Sequence, residues 1–262
     1  MSLNDLIRNF NISLNINERL SKNFCKKMKC VILAGGFGTR LGEETNSLPK
    51  PMIKIGNMPL LWHIMKIYSQ HGINEFVICC GYKGEIIKEY FDQFTSESWD
   101  VKTVDTGLNT MTGGRIKKIQ KYVQDDTFCL SYGDDLKPVD ITQLIRFHKK
   151  GKKLATVTIT KPNPRFGIIK VKEDDVISIK EKSREDENWI NGGYFVLEPK
   201  IFDYISRDDS VWEIEPMKKL VEDNQISAFK YDGEYYPMDT IQDKIKLEEM
   251  WKTNNAYWKV WK

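Results

Sequence analysis

The strongest constraint on the fold is a rhythm. From Met28 onward short apolar runs alternate with amphipathic stretches, the pattern of βα units wound around a mostly parallel sheet. KCVILAGG reads as the first strand. PLLWHIMKIYSQHG reads as a helix whose apolar face carries Leu60, Leu61, Ile64, Met65, Ile67 and Tyr68, followed by strand EFVICC and helix EIIKEYFDQF. The alternation continues through strand VKTVDTG, helix GGRIKKIQKYV, strand TFCLSYGDD with an acidic turn at its end, helix DITQLIRFHKKG and buried strand LATVTIT. There it breaks. FGIIKVKEDDVISIKEK reads as a hairpin turning near Asp174 and Asp175, and WINGGYFVLEP as one more strand. Short helices and a late hairpin then precede a closing helix and tail, DTIQDKIKLEEMWKTNNAYWKVWK, whose Trp251, Trp258 and Trp261 are read as packing or subunit-contact residues. One α/β domain with a small C-terminal elaboration is expected.

Composition removes several classes of protein. With 262 residues and 40% hydrophobic content, the chain is neither disordered nor collagen-like. At this length roughly three quarters of the unfolded surface is buried on folding, so no disulfide or structural metal is needed. The five cysteines, Cys25, Cys30, Cys79, Cys80 and Cys129, are odd in number and lack C-x-x-C spacing, which reads as reduced core thiols in a cytoplasmic protein. The 40 basic against 37 acidic side chains are spread along the chain, giving no argument for nucleic acid or anionic lipid. Residues 1–27 are rich in Asn and charge, with no run apolar enough for a signal peptide or membrane helix. They read as an N-terminal extension, either a docking appendage or the result of a start codon upstream of Met28.

The most informative stretch is LAGGFGTRL, Leu33 to Leu41, directly after the first strand and followed by LPKPM, Leu48 to Met52. A turn of small residues there lets backbone N–H groups approach an anion, and α/β sheets place their ligands at strand C-termini. Phosphate is the expected guest. Arg40 offers a planar fork to its oxygens, and Lys50 lies between two prolines that restrict the backbone under its ammonium. A dinucleotide-binding fingerprint fails here, because Leu41 stands where a third small residue belongs and no acidic residue occurs near Met58. No glycine loop ends in Gly-Lys-Ser/Thr, so the P-loop fails too.

LAGGFGTRL with PKP resembles the sugar-phosphate nucleotidyltransferases. The likeness runs on through GYKG (Gly81 to Gly84), VDTG (Val104 to Gly107), MTGGR (Met111 to Arg115), YGDD (Tyr132 to Asp135), EK (Glu181, Lys182), INGGYFVL (Ile190 to Leu197) and PMDT (Pro237 to Thr240). Within that superfamily the chain is most similar to the glucose-1-phosphate cytidylyltransferases over residues 28–262. The resemblance implies a single Rossmann-like three-layer domain with a mostly parallel mixed sheet, a nucleotidyltransferase domain over 28–262. It also implies transfer of CMP from CTP to a phosphorylated acceptor with release of pyrophosphate. Such an acceptor is already an anion, so positioning and charge neutralisation replace a general base; His63, His71 and His148 are accordingly expected to pack rather than to catalyse.

The same resemblance distributes the roles. Leu33, Gly35, Gly36, Gly38 and Thr39 would hold the nucleotide, Arg40 and Lys50 would neutralise the triphosphate, and Asp134 and Asp239 would bind Mg²⁺. Gly81, Thr106, Gly107 and Arg115 would read the base, while Gly167, Glu181, Lys182 and Asn191 would hold the acceptor, a sugar 1-phosphate such as glucose 1-phosphate. A homo-oligomer is expected. Three departures stand out: Asp135 where the pattern reads YGDG, Ser183 where it reads EKP, and only TSESWD between Phe94 and Val101, where the family carries an insertion of some two dozen residues. Asp135 is left open between a second metal, an acceptor amine and no role. The alternatives are CMP transfer to a non-sugar phosphate such as L-glutamine phosphate in capsular phosphoramidate synthesis, and an inactive nucleotide-sugar sensor.

Overall fold

The computed structural model describes residues 28–42, 44–94, 96–123, 126–162, 168–180 and 188–261; the extension over 1–27, with Cys25, lies outside them. Seven strands form one sheet: β1 (Lys29–Leu33), β2 (Glu75–Cys80), β3 (Asp100–Asp105), β4 (Phe128–Tyr132), β5 (Ala155–Thr160), β6 (Ile190–Leu197) and β7 (Ile226–Tyr231). Their spatial order is β7-β5-β6-β4-β1-β2-β3, and every neighbouring pair is parallel except the two made by β6. The mostly parallel mixed α/β sheet matches the expectation.

Strand residues alternate between two cores because successive side chains leave a strand on opposite faces. Cys30 and Ile32 of β1 with Phe76 and Ile78 of β2 enter one core; Val31 and Leu33 with Val77 and Cys79 enter the other. Helices α1 (Leu60–Gln70), α2 (Gly84–Gln93), α4 (Ile141–Gly151) and α6 (Ile241–Lys252) close the first core, and α3 (Thr112–Lys118) and α5 (Glu215–Glu222) the second. Three layers result.

Two expectations are corrected. The late hairpin does not form: β7 runs parallel to β5 at the sheet edge, and Tyr236–Pro237 pairs with Asp135–Leu136. The predicted helix GGRIKKIQKYV is shorter and starts earlier, at Thr112, breaking at Ile119 before a further turn at Gln120–Val123. The hairpin of Ile168–Lys172 and Asp175–Lys180 is antiparallel, as read.

Cys30, Cys79, Cys80 and Cys129 are reduced and buried, and burial pushes the Cys80 thiol up to about 12. The histidines pack. His148 contacts Thr156 Oγ1 at 2.9 Å and Glu198 Oε1 at 3.0 Å, and His71 contacts Thr142 Oγ1 at 2.9 Å. His63 is buried among Trp62, Trp251, Trp258 and Trp261. The Trp258 indole N–H donates to His63 Nδ1 at 3.3 Å, so Nε2 carries the proton and donates to Ile55 O at 2.9 Å. Trp258 and Trp261 are therefore core residues and lend no support to a subunit contact. Among the described residues no helix is long and apolar enough to cross a membrane.

Candidate active site

Strand order reverses at β1, which pairs with β2 on one side and β4 on the other. A crevice opens outside the C-terminal ends of strands at such a point. The glycine turn is fixed there by Gly133 N donating to Leu33 O at 2.9 Å and Ala34 N donating to Cys79 O at 3.0 Å. The result is a cavity of about 820 Å³ walled by the turn from Leu33 to Thr39 on one side, Leu108–Thr112 on another, and Gly133, Asp134 and Asn191 on a third. A second depression, about 880 Å³ around Lys200, Asp203 and Lys219 at the opposite end of the sheet, has no comparable set of groups.

Lys50 is the centre of the polar arrangement. It opens a short turn, Lys50–Met52, with Pro49 before it in extended conformation and Pro51 inside it. Its ammonium lies 2.8 Å from Asp134 Oδ2 and 2.8 Å from Asp239 Oδ1, with the lysine side chain only 8% exposed. Burial pushes the Lys50 pKa down, but Asp134 and then Asp239 outweigh it and the net shift is upward. Asp134 follows β4, and Asp239 is held by its own N–H donating to Asp243 Oδ2 at 3.1 Å. Two carboxylates that converge on one ammonium also suit a hard divalent cation, which takes oxygen ligands.

Asp135 turns the other way. It is buried and ion-paired with fully buried Lys137, whose ammonium also sits over the Tyr235 ring at 3.6 Å. Its carboxylate answers to the core rather than to a metal or an acceptor amine in the crevice.

Gly81, Thr106 and Gly107 lie together around Arg115. Arg115 is buried and spends both terminal nitrogens on protein acceptors: Cys80 O at 3.0 Å, Thr106 Oγ1 at 2.6 Å, Gly107 O at 2.8 Å, Gly35 O at 2.9 Å and Leu108 O at 3.2 Å. It thereby ties the glycine turn to the loop after β3. The approach is close: a Cβ on Gly35 would lie 2.2 Å from Arg115 Nη1, which is why only glycine fits.

On the third wall the register of β6 against β5 slips between Asn191 and Phe195, with Gly193 at φ 76°, a left-handed conformation suited to glycine. The slip lets Asn191 Oδ1 accept from Gly193 N at 2.9 Å while Nδ2 donates to Tyr132 Oη at 2.9 Å. Tyr132, Thr112 and Glu213 also wall the cavity; Tyr132 and Thr112 lie in the YGDD and MTGGR motifs without a role assigned to them, and Glu213 lies in no motif the sequence offers. Glu213 lies in VWEIEP with no glycine or strand end to mark it; only the fold brings it beside Thr112. Gly167, Glu181, Lys182 and the Arg40 side chain lie outside the described residues.

The nucleotidyl transferase family model matches residues 29–258. The chain belongs to that family. It is 46% identical over 256 residues to the glucose-1-phosphate cytidylyltransferase of Salmonella typhimurium, covering 89% of this chain and 100% of that protein. Because 89% of 262 residues is about 233, about two dozen aligned positions of that relative have no counterpart here, the size of the insertion missing after Phe94. Among solved structures, HddC from Yersinia pseudotuberculosis complexed with GMP-PN aligns with a TM-score of 0.68 and 26% identity, covering 86% of this chain and 99% of that one. The inositol-1-phosphate CTP transferase from T. maritima, at 17% identity and a TM-score of 0.64 over 90% and 97%, shares the fold.

Proposed function

We propose that this nucleotidyltransferase transfers CMP from CTP to a sugar 1-phosphate such as glucose 1-phosphate, releasing pyrophosphate. The reading is carried by one observation: the Lys50 ammonium midway between Asp134 and Asp239, beside a glycine turn at the C-terminal end of β1. The cytidylyl specificity and sugar acceptor rest on the relative at 46% identity.

In this reading the backbone of Gly35, Gly36, Gly38 and Thr39 cradles the triphosphate, and Lys50 with Arg40 neutralises charge as the acceptor phosphate displaces pyrophosphate from the α-phosphorus. Asp134 and Asp239 would hold Mg²⁺, which would supply Lewis-acid charge stabilisation at the transferred nucleotidyl group. No side chain abstracts a proton, since the acceptor oxygen is already ionised. Gly81, Thr106, Gly107 and Arg115 order the base subsite; Asn191, with Gly167, Glu181 and Lys182, holds the acceptor. The protein works in the cytoplasm as a homo-oligomer in capsule or surface-polysaccharide synthesis.

The missing insertion favours one second reading, a non-sugar acceptor such as L-glutamine phosphate. Pyrophosphate release with Mg²⁺, run as a grid of five nucleoside triphosphates against glucose 1-phosphate and other small phosphates, decides between them. Release with CTP and glucose 1-phosphate supports the first, release with CTP and a non-sugar phosphate the second. Silence across the grid leaves an inactive sensor.

A further inference from the structure

Glu213 is an anion in a crevice built for anions. Among the described residues no cation pairs with it; its partners are two hydroxyls, Tyr132 Oη on Oε1 and Thr112 Oγ1 on Oε2 at 2.7 Å. An ionised carboxylate offers about four acceptor sites, so about two stay open toward the cavity it walls. Phosphate oxygens have no proton to give them and repel the charge. Outside the base, the groups of a nucleotide or a sugar phosphate that match are the neutral hydroxyls.

The carboxylate is held rather than loosely displayed. Its neighbour Trp212 is fully buried and donates its backbone N–H to Thr112 Oγ1 at 2.9 Å. The preceding loop lies directly on α3, with Met111 N donating to Asp208 O at 3.0 Å and Gly114 N to Ser210 O at 3.2 Å. A Cβ on Gly114 would come 2.1 Å from Asp208 O, so the glycine permits this approach. From the other wall Asn191 donates to Tyr132 Oη, completing a line of hydrogen bonds from Asn191 through Tyr132 and Glu213 to Thr112. Because Tyr132 Oη accepts from Asn191 Nδ2, its own proton is left to donate to Glu213 Oε1.

We propose that Glu213 is a specificity-determining residue that accepts hydrogen bonds from sugar hydroxyls of the bound substrates, with Tyr132 and Thr112 as its positioning residues. The proposal rests on the nucleotidyltransferase reading above. Two sources of hydroxyls share this chemistry, the ribose of the nucleotide and the sugar of the acceptor.

Calorimetric binding of CTP and CDP-glucose, in Mg²⁺, to wild type and Glu213→Gln tests it without turnover. Analogues lacking one ribose hydroxyl (2′-deoxy, 3′-deoxy) or one glucose hydroxyl form the two arms. The variant is expected to bind the parent ligand about 10- to 100-fold more weakly, the range of a hydrogen bond to a charged group. Against the analogue missing the hydroxyl that Glu213 reads, it is expected to differ less than about threefold from wild type. The arm in which the loss vanishes names the source. Tyr132→Phe, which keeps the ring against Phe195, should give the same pattern at smaller size. Equal losses across parents and all analogues, or no loss at all, overturn the proposal alone. If wild type binds neither CTP nor CDP-glucose, the functional reading fails and the proposal falls with it.

Discussion

Lys50 separates two carboxylates that would otherwise face each other. Lys50→Ala is expected to lower kcat by about 10²–10³, the effect of losing one preorganised charge in such a site. Without a divalent cation the variant should also melt below wild type, and added Mg²⁺ should recover more of the difference than it adds to wild type; pyrophosphate-release kinetics and thermal melts check both. His63 supplies a pH dependence. Burial holds its pKa down to about 4 in the folded protein, against an ordinary 6.5. Its contribution is therefore complete above about pH 6.5 and is lost as the pH falls toward 4, about 3 kcal/mol in all. Denaturant melts at pH 7 and pH 4.5 should show a larger drop for wild type than for His63→Gln, which cannot titrate. At this scale the sequence was informative where a residue type coincides with a marked place in the chain, as for Lys50 between two prolines and Asp134 just past a strand end. It left the role of Asp135 open, because only the fold brings that carboxylate onto the buried Lys137 ammonium.

Helix α6 begins with a capping box: Thr240 Oγ1 accepts from Asp243 N at 3.2 Å, and Asp243 Oδ2 accepts from Thr240 N at 2.8 Å. The same Asp243 oxygen holds the N–H of Asp239. The cap therefore fixes a helix start and a site carboxylate together. Asp243→Ala is expected to cost about 1 kcal/mol of stability and to raise the Mg²⁺ concentration for half-maximal activity severalfold with little change in KM for CTP. Urea melts and a Mg²⁺ titration measure the two effects. Elements with strong periodicity were legible: α1 by its apolar stripe, β1 and β2 by runs buried on both faces. The edge strand β7 was not, since ISAFKY is half exposed and its partner β5 lies far back in the chain. Two-residue strands such as Tyr236–Pro237 are below any readable pattern, and the glycines of α3 are explained only by the loop that lies on them.

Over the whole molecule, the C-terminal segment completes the core beneath α1. Trp258→Ala, which empties a fully buried site and takes the partner from His63 Nδ1, is expected to cost about 3–5 kcal/mol, read from urea midpoints. Its position also ties the ends of the domain: Trp258 and His63 are 195 residues apart, and Lys50 and Asp239 are 189 apart. A ribosome adding about 5–20 residues per second takes roughly 10 to 40 s to travel from Lys50 to Asp239. Through that interval the emerging chain owns the glycine turn and its lysine but lacks the second carboxylate. If turnover needs both carboxylates, the order of synthesis by itself keeps an unfinished domain from spending nucleotide, because Asp239 is made long after the glycine turn, Lys50 and Asp134.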